Sequence, residues 1–120
     1  MANWLYNKGG HAEAIHDDDC IRSGMGHVRA WVVGSNVYSL HGRHIGWFED
    51  GVLYDSHNRA LGFLPEARGY LSGRPGLAGA PGMPGFAGRP GRPGLSGVPG
   101  RAGYGGWSAH DLAEYLEEDR

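Results

Sequence analysis

The sequence predicts a mainly β protein in which four 16-residue β-hairpin repeats close into a pseudo-four-fold arrangement. An extended Gly-X-Y tract and a short C-terminal α-helix follow the repeats. Three observations support this prediction: a repeat that runs from Leu5 to Arg68, a glycine at every third position from Gly73 to Gly106, and an amphipathic pattern after Trp107. They divide the chain into a repeat domain (1–68), a Gly/Pro-rich tract (69–106) and an acidic helix (107–120).

The repeat becomes visible when the segments that begin at Leu5, Ile21, Val37 and Leu53 are aligned without gaps. Six columns then agree in residue type. They are an aliphatic first column, a mostly aromatic second (Tyr6, Arg22, Tyr38, Tyr54), a sixth of Gly or Asn (Gly10, Gly26, Gly42, Asn58), a basic seventh (His11, His27, Arg43, Arg59), a small tenth (Ala14, Ala30, Gly46, Gly62) and a large apolar eleventh (Ile15, Trp31, Trp47, Phe63).

Each unit is typical of a β-hairpin. An apolar-aromatic pair such as Val37-Tyr38 opens a strand, and the Gly or Asn of the sixth column suits a turn position with positive φ. A return strand follows, as in 44–48. A single hairpin cannot bury its apolar face alone, so the four must pack together, and closure leaves few exposed strand edges. The small tenth column predicts close backbone approach.

Several stretches resemble the bacterial four-fold β-flower domain family. They are Trp4-Leu5-Tyr6-Asn7, the run Tyr38 to Gly51 (Tyr-Ser-Leu-His-Gly-Arg-His-Ile-Gly-Trp-Phe-Glu-Asp-Gly), Leu53-Tyr54-Asp55, Leu61-Gly62-Phe63, and Gly106-Trp107-Ser108 with Leu112, Glu114 and Leu116. The resemblance covers the repeats and the final helix, whereas the glycine triplets between them depart from the family pattern. It implies a small β fold with pseudo-four-fold symmetry and no known activity, so it brings no catalytic residues.

Charge is segregated along the chain although the net charge is only −2. Residues 1–68 carry six basic and eight acidic residues, 69–106 carry four arginines and no acid, and 107–120 carry five acids and one arginine. The single cysteine, Cys20, rules out a disulfide within the chain and favours a reducing compartment. Because the first residues lack a basic region and an apolar run, we expect a cytoplasmic protein without a membrane span.

The glycine triplets leave three structures open. A strict Gly-X-Y period is typical of a collagen-like triple helix, in which only glycine fits at the axis. The tract is short and its prolines all occupy the third position of a triplet, which equally allows a single polyproline-II-like strand or flexible linker, or a packed polyproline-II bundle.

The C-terminal pattern predicts a helix that starts with Ser108 as N-cap and Asp111 three residues later, with Trp107 and Leu112 as a hydrophobic staple. Leu112, Tyr115 and Leu116 form one apolar face. A stripe this short cannot hold a helix alone, so we expect it to dock on its own β domain or on a partner. The arginines of the tract are expected to attract the acidic helix loosely. The candidate docking residues are Trp107, Leu112, Tyr115 and Leu116.

No set of residues in the sequence predicts catalysis. The histidines His41, His44 and His57 lack the spacing of a zinc site and are expected to be exposed turn residues. Asp17-Asp18-Asp19 lacks the alternating ligands of a calcium loop and is expected to be a solvated turn. We therefore expect no enzyme activity, no cofactor and no metal.

One column offers a binding hypothesis. In a closed arrangement His11, His27, Arg43 and Arg59 would occupy equivalent places and could bind an anion such as phosphate, a nucleic-acid backbone or an acidic peptide. The acidic repeat domain makes nucleic acid the weaker choice. The leading hypothesis is a non-catalytic interaction or assembly module, which binds a protein partner or self-associates through the helix and the tract. The sequence does not specify the partner, the pathway or the oligomeric state.

Overall fold

The chain forms a closed eight-stranded antiparallel barrel in a computed structural model that describes residues 2–118. The strands, in chain order and each paired with its neighbours, are β1 (Ala2–Tyr6), β2 (Ala12–Asp17), β3 (Cys20–Ser23), β4 (Val28–Val33), β5 (Asn36–Ser39), β6 (His44–Glu49), β7 (Val52–Tyr54) and β8 (Ala60–Phe63). β1 closes the barrel by pairing with β8 through Tyr6 and Phe63. The predicted four hairpins and their closure are confirmed.

The repeat shapes every hairpin in the same way. The register shifts at the step from the first to the second column, for example between Val37 and Tyr38, so that one residue of the return strand bulges out. The bulged residues are Glu13, Arg29, Ile45 and Leu61. The sixth column has positive φ throughout, between 59° at Asn58 and 93° at Gly26, as predicted.

The two faces of the barrel wall bury different columns. The first column and the alanines of the tenth belong to one core cluster, and they share it with three residues of the C-terminal helix. The second and eleventh columns lie on the other face, where Tyr54 and Trp47 are each 3 % exposed. Close approach at the tenth column is confirmed, since a Cβ on Gly46 would collide with the carbonyl oxygen of Tyr54.

The glycine-triplet tract wraps around the barrel, and we call residues 73–106 the belt. Its backbone amides donate to the carbonyl of the sixth-column residue in each hairpin loop in turn. The four hydrogen bonds are Ala78 to Gly10 (2.9 Å), Ala87 to Gly26 (3.1 Å), Ser96 to Gly42 (2.8 Å) and Gly105 to Asn58 (3.2 Å). Nine residues of belt therefore correspond to 16 residues of barrel. The belt contains no helix or strand.

The two ends of the belt meet at a clasp formed by Ser72, Tyr104 and Trp107. The Tyr104 hydroxyl donates to Ser72 Oγ at 2.9 Å, and Trp107 Nε1 donates to the Ser72 carbonyl at 3.1 Å. Trp107 also forms a parallel bridge to Ala60 and lies 6.1 Å from the ring of Phe63. The chain then passes into the helix α1 (Leu112–Glu117).

The helix starts later than predicted. Asp111 is its N-cap, without a side-chain capping bond, whereas Ser108 lies outside it. Ser108 Oγ instead donates a 2.6 Å hydrogen bond to Asp55 Oδ2 in a buried contact, and it accepts from the amide of His110. A staple still forms one turn later, because the rings of His110 and Tyr115 lie 5.3 Å apart.

Candidate functional site

The four hairpin loops share the same pattern of hydrogen bonds from backbone amides to one side chain. The third column holds a hydrogen-bond acceptor in every repeat (Asn7, Ser23, Ser39, Asp55), and each acceptor binds the amides two and four residues ahead. In the third loop, Ser39 Oγ accepts from His41 and Arg43, both at 3.2 Å. These bonds hold the four loops in one conformation, so the loops are structurally equivalent at one end of the barrel.

The C-terminal helix lies over that loop end. The amide of Ala113 donates to Glu13 Oε1 at 3.3 Å, and Arg29 pairs with Glu117 at 2.9 Å. Leu112 packs against Gly62, where an added Cβ would come within 2.8 Å of its Cδ2. The helix thus reaches all four repeats, through Glu13, Arg29, Gly62 and, in the third, the carbonyl of Ile45.

The helix covers the loop end unevenly. It and the segment before it contact the loops of the first and fourth repeats, since Lys8 Nζ donates to the carbonyl of Ser108 and the Ser56 amide donates to the Tyr115 hydroxyl. The loops of the second and third repeats instead border two clefts. Clefts therefore remain beside two of the four loops.

The two clefts lie on either side of Arg29. The third-loop cleft, about 300 Å³, is lined by Ser39, Leu40, His41, Ile45 and Tyr115, with Glu118 at the helix end. The second-loop cleft, about 330 Å³, is lined by Glu13, Ser23, Gly24, Met25, His27 and Ala113. Arg29, Leu116 and Glu117 line both. Each cleft thus combines the apolar side chain of Leu116 with the guanidinium of Arg29 and the carboxylate of Glu117.

The charged groups of the clefts are only partly compensated. Arg29 gives one guanidinium nitrogen to Glu117, while its buried Nε has no acceptor among residues 2–118. Burial raises the pKa of the Glu13 carboxyl above its usual range, and the nearby Asp111 carboxylate adds to the increase. The second-loop cleft therefore contains a carboxyl group with a raised pKa, and both clefts border a guanidinium nitrogen that has no partner among the described residues.

Comparison with known proteins identifies the family to which this architecture belongs. A family model described as a 4-fold beta flower protein matches residues 3–116. The chain belongs to this family. The matched range spans the four hairpins, the belt and most of the helix. No curated protein and no solved structure matches the chain.

The β flower does not gather the basic column into one site. His11, His27, Arg43 and Arg59 are exposed on four separate loops, each next to a residue that holds the belt. No hydrogen bond, ion pair or ring contact joins any two of them in the described part of the chain. His27 alone lines a cleft, and Arg59 lies along the belt beside Gly105.

The candidate docking residues lie within the flower itself. Leu112, Tyr115 and Leu116 are at most 6 % exposed and belong to the inner core cluster with the first column. Trp107 is half-buried at the clasp. Of the two predicted docking sites, the own β domain or a partner, the flower uses the first.

The acidic turn and the belt arginines form ion pairs that differ from the predicted ones. Asp17 is 8 % exposed rather than solvated, and its carboxylate pairs with Arg22 at 2.9 Å and with Arg89 at 3.0 Å. Other pairs join Arg92 to Asp19 at 3.2 Å and Arg101 to Glu49 at 3.1 Å. Among the described residues, Arg89, Arg92 and Arg101 thus pair with barrel carboxylates and not with the acidic helix, which explains how a +4 tract lies on an acidic barrel.

The histidines occupy two environments. His41 and His57 are exposed turn residues, as predicted, but His44 is buried on the outer face of β6. Its Nε2 lies 3.0 Å from Asn36 Oδ1, its ring contacts Tyr38 and Trp47 edge-on, and burial lowers its pKa. Within residues 2–118, no three His, Cys, Asp or Glu side chains are placed to hold a metal ion. No helix in that range could cross a membrane.

Two features of the flower had a sequence signal that the alignment by residue type missed. The acceptors of the third column differ in class, since Asn, Ser and Asp share only a side-chain oxygen. The belt carries a nine-residue period inside its three-residue period: Pro75, Pro84 and Pro93 recur in register with Leu77, Phe86, Leu95 and Tyr104. The clefts themselves had no sequence signal, because they depend on where α1 lies.

Proposed function

We propose that this β flower is a non-catalytic interaction module that binds a protein partner at the two clefts of its loop end. The observation that carries the proposal is the pair of clefts that border the loops of the second and third repeats, at the end of the barrel where the C-terminal segment binds the other two loops. Met25, 78 % exposed at the rim of one cleft, adds apolar contact area.

The belt and the helix support this role by completing the fold. We infer that the belt is a single polyproline-II-like strand and not one strand of a collagen-like trimer, because its amides bind its own barrel at four regular intervals. At about 3.1 Å per residue its 34 residues would extend roughly 105 Å. That is close to one circuit of a molecule whose two longer dimensions are 38 and 36 Å.

A non-catalytic role fits the polar groups present. Within residues 2–118, Ser108 donates its hydroxyl proton to the Asp55 carboxylate and not to an imidazole, and both residues are only 2 % exposed. Cys20 is buried with its Sγ 3.3 Å from the Asp17 carbonyl, and burial raises the pKa of its thiol. A reactive thiolate requires the opposite shift.

The proposal is tested by selecting binders from a random peptide library displayed on phage, with the full chain as target. We expect selected peptides to shift the backbone amide resonances of residues 23–29 and 39–45. We expect His41→Arg and Met25→Arg to weaken their binding, while Arg43→Ala, on the same loop as His41 but outside the clefts, leaves it unchanged. Peptides that map to the belt or to the turns at 18–19, 34–35 and 50–51 would contradict the proposal.

Anion binding at the basic column stays a second hypothesis. It is supported by the exposure of all four side chains and opposed by their separation on four loops. Titration with inorganic phosphate at low and high salt tests it, because anion binding weakens with ionic strength, whereas apolar docking does not. Saturable shifts at Arg43 and Arg59 that disappear in high salt would favour this hypothesis.

A further inference from the structure

The Tyr115 hydroxyl occupies a site built by two neighbouring repeats. It accepts a hydrogen bond from the amide of Ser56 at 3.1 Å and donates one to the carbonyl of Ile45 at 2.6 Å. Ser56 is the fourth residue of its repeat and Ile45 is the bulged ninth residue of the preceding one. The site therefore consists of a loop amide and a bulge carbonyl, and both are backbone groups.

Because both groups belong to the backbone, the repeat predicts further copies of the site. Moving both residues back by the repeat length of 16 gives Leu40 with Arg29, and a second step gives Gly24 with Glu13. Leu40 and Arg29 line the third-loop cleft, while Gly24 and Glu13 line the second-loop cleft. Gly24 and the Glu13 carbonyl are adjacent, since an added Cβ on Gly24 would lie 3.3 Å from that oxygen.

In neither copy of the site does the loop amide donate a hydrogen bond to another described residue of the flower. No acceptor among residues 2–118 binds the amide of Leu40 or that of Gly24. The surroundings also resemble those of Tyr115, whose ring belongs to the inner core cluster: Ile45 and Leu116 line one cleft, and Ala113 and Leu116 line the other. Each cleft thus offers an apolar surface beside an unpaired amide and a bulge carbonyl.

Resting on the proposed interaction role, we propose that each cleft binds a tyrosine side chain of the partner polypeptide in the way that the flower binds its own Tyr115. The phenol hydroxyl accepts from the amide of Leu40 or Gly24 and donates to the carbonyl of Arg29 or Glu13. A hydroxyl suits this pair because it is donor and acceptor at once. An ionised carboxylate cannot donate, and the carboxylates of Glu117 and Glu13 at the clefts oppose an anion.

The test compares N-acetyltyrosinamide with N-acetylphenylalaninamide in nuclear magnetic resonance titrations of the full chain. We expect the tyrosine derivative to shift the amides of Leu40 and Gly24 in a saturable way. The phenylalanine derivative should bind roughly three- to tenfold more weakly, as the loss of a hydroxyl with two hydrogen bonds implies. Equal binding of the two would overturn the tyrosine inference and leave the interaction site standing. No shift at either cleft with either compound would overturn both proposals.

Proline variants separate the amide from the shape of the cleft. Leu40 is the second residue of a turn closed by the Gly42 amide and the Ser39 carbonyl at 3.0 Å, and neither Leu40 nor His41 has positive φ. Proline suits that position and lacks the donor. We expect Leu40→Pro to keep the wild-type melting temperature and to abolish the preference for tyrosine at the third-loop cleft only, with Gly24→Pro acting likewise at the other. A preserved preference in both variants would contradict the inference.

Discussion

The amide of Ser96 donates a 2.8 Å hydrogen bond to the carbonyl of Gly42, and Gly94, two residues earlier, lies against the α-carbon of the same glycine. A Cβ at Gly42 would collide with the Gly94 carbonyl oxygen, and the same relation holds between Gly26 and Gly85 and between Gly10 and Gly76. The sixth column is therefore glycine for two reasons, a left-handed backbone and the close approach of the belt.

These two reasons can be separated by substitution. We expect Gly42→Ala to destabilise the protein by more than Gly34→Ala, by about 1 kcal/mol or more, because Gly34 also has positive φ but has no atom near an added Cβ. Gly34→Ala should be destabilised only by the cost of a left-handed backbone at a residue with a Cβ, about 1–2 kcal/mol. Chemical denaturation measures both, and equal losses would mean that the belt moves aside freely.

Deletion of one triplet tests the nine-residue register. Removing 97–99 keeps a glycine at every third position but displaces the amide of Gly105 from the carbonyl of Asn58 by three residues. We expect a lower melting temperature and faster amide exchange at 101–107. Val98→Ala, in the same triplet and 54 % exposed in the wild type, is the control of unchanged length. Unchanged exchange in the deletion would identify the tract as a slack linker.

Asn58 replaces glycine in the last repeat and uses its side chain on the belt. Its Nδ2 donates to the Ala102 carbonyl at 2.7 Å and its Oδ1 accepts from Arg101 Nε at 2.9 Å. Sequence alone favours Asn58→Gly as neutral or mildly stabilising, because glycine relieves positive φ. With two hydrogen bonds lost, we expect a net destabilisation of about 1 kcal/mol. A melting temperature at or above that of the wild type would show that the backbone effect is larger.

The helix is held by side chains that complete the inner core. Leu112 is fully buried and Leu116 is 6 % exposed, so truncating either to alanine should cost about 2–5 kcal/mol. We expect Leu112→Ala with Leu116→Ala to increase amide exchange across 108–118 and to destabilise the barrel. Glu114→Ala, on the exposed side of α1, serves as the control. Unchanged exchange in the double variant would contradict the docked position.

Stability should fall as the pH drops below the ordinary histidine pKa of 6.5. Burial lowers the pKa of His44 in the folded state, so between the two pKa values the unfolded chain binds a proton that the folded chain does not. The free energy of unfolding is then fully present above about pH 6.5 and decreases as the pH falls toward the folded pKa. His44→Gln should weaken this dependence, to which His16 also contributes because burial lowers its pKa, whereas His57→Gln, at an exposed turn, should retain it.

The sequence predicts the barrel because its determinants are local. Positive φ at Gly42, an aromatic strand opening at Tyr38 and a small residue at Gly46 are each specified within one repeat, and repetition makes them visible. The start of the helix was predicted wrongly for the opposite reason. Ser108 satisfies the local rule for an N-cap, but its hydroxyl binds Asp55, which lies 53 residues away in the chain.

The candidate site was less accessible to sequence reasoning. The clefts depend on backbone groups such as the amide of Leu40, and no side chain marks them. The basic column was easy to see because its side chains agree, but agreement of type on equivalent loops does not bring Arg43 and Arg59 together in a closed ring. The belt register was hidden because its partners are carbonyl oxygens, which every residue has.

The correspondence of 16 barrel residues to nine belt residues constrains how such a chain can change in number of repeats. Duplicating one hairpin alone would add a loop carbonyl without a belt amide to bind it. A flower with a fifth hairpin would thus need two separate insertions, one before Leu64 and one between the anchors Ala78 and Gly105. Gain or loss of a single unit is harder here than in an open solenoid, where each repeat brings all of its own contacts.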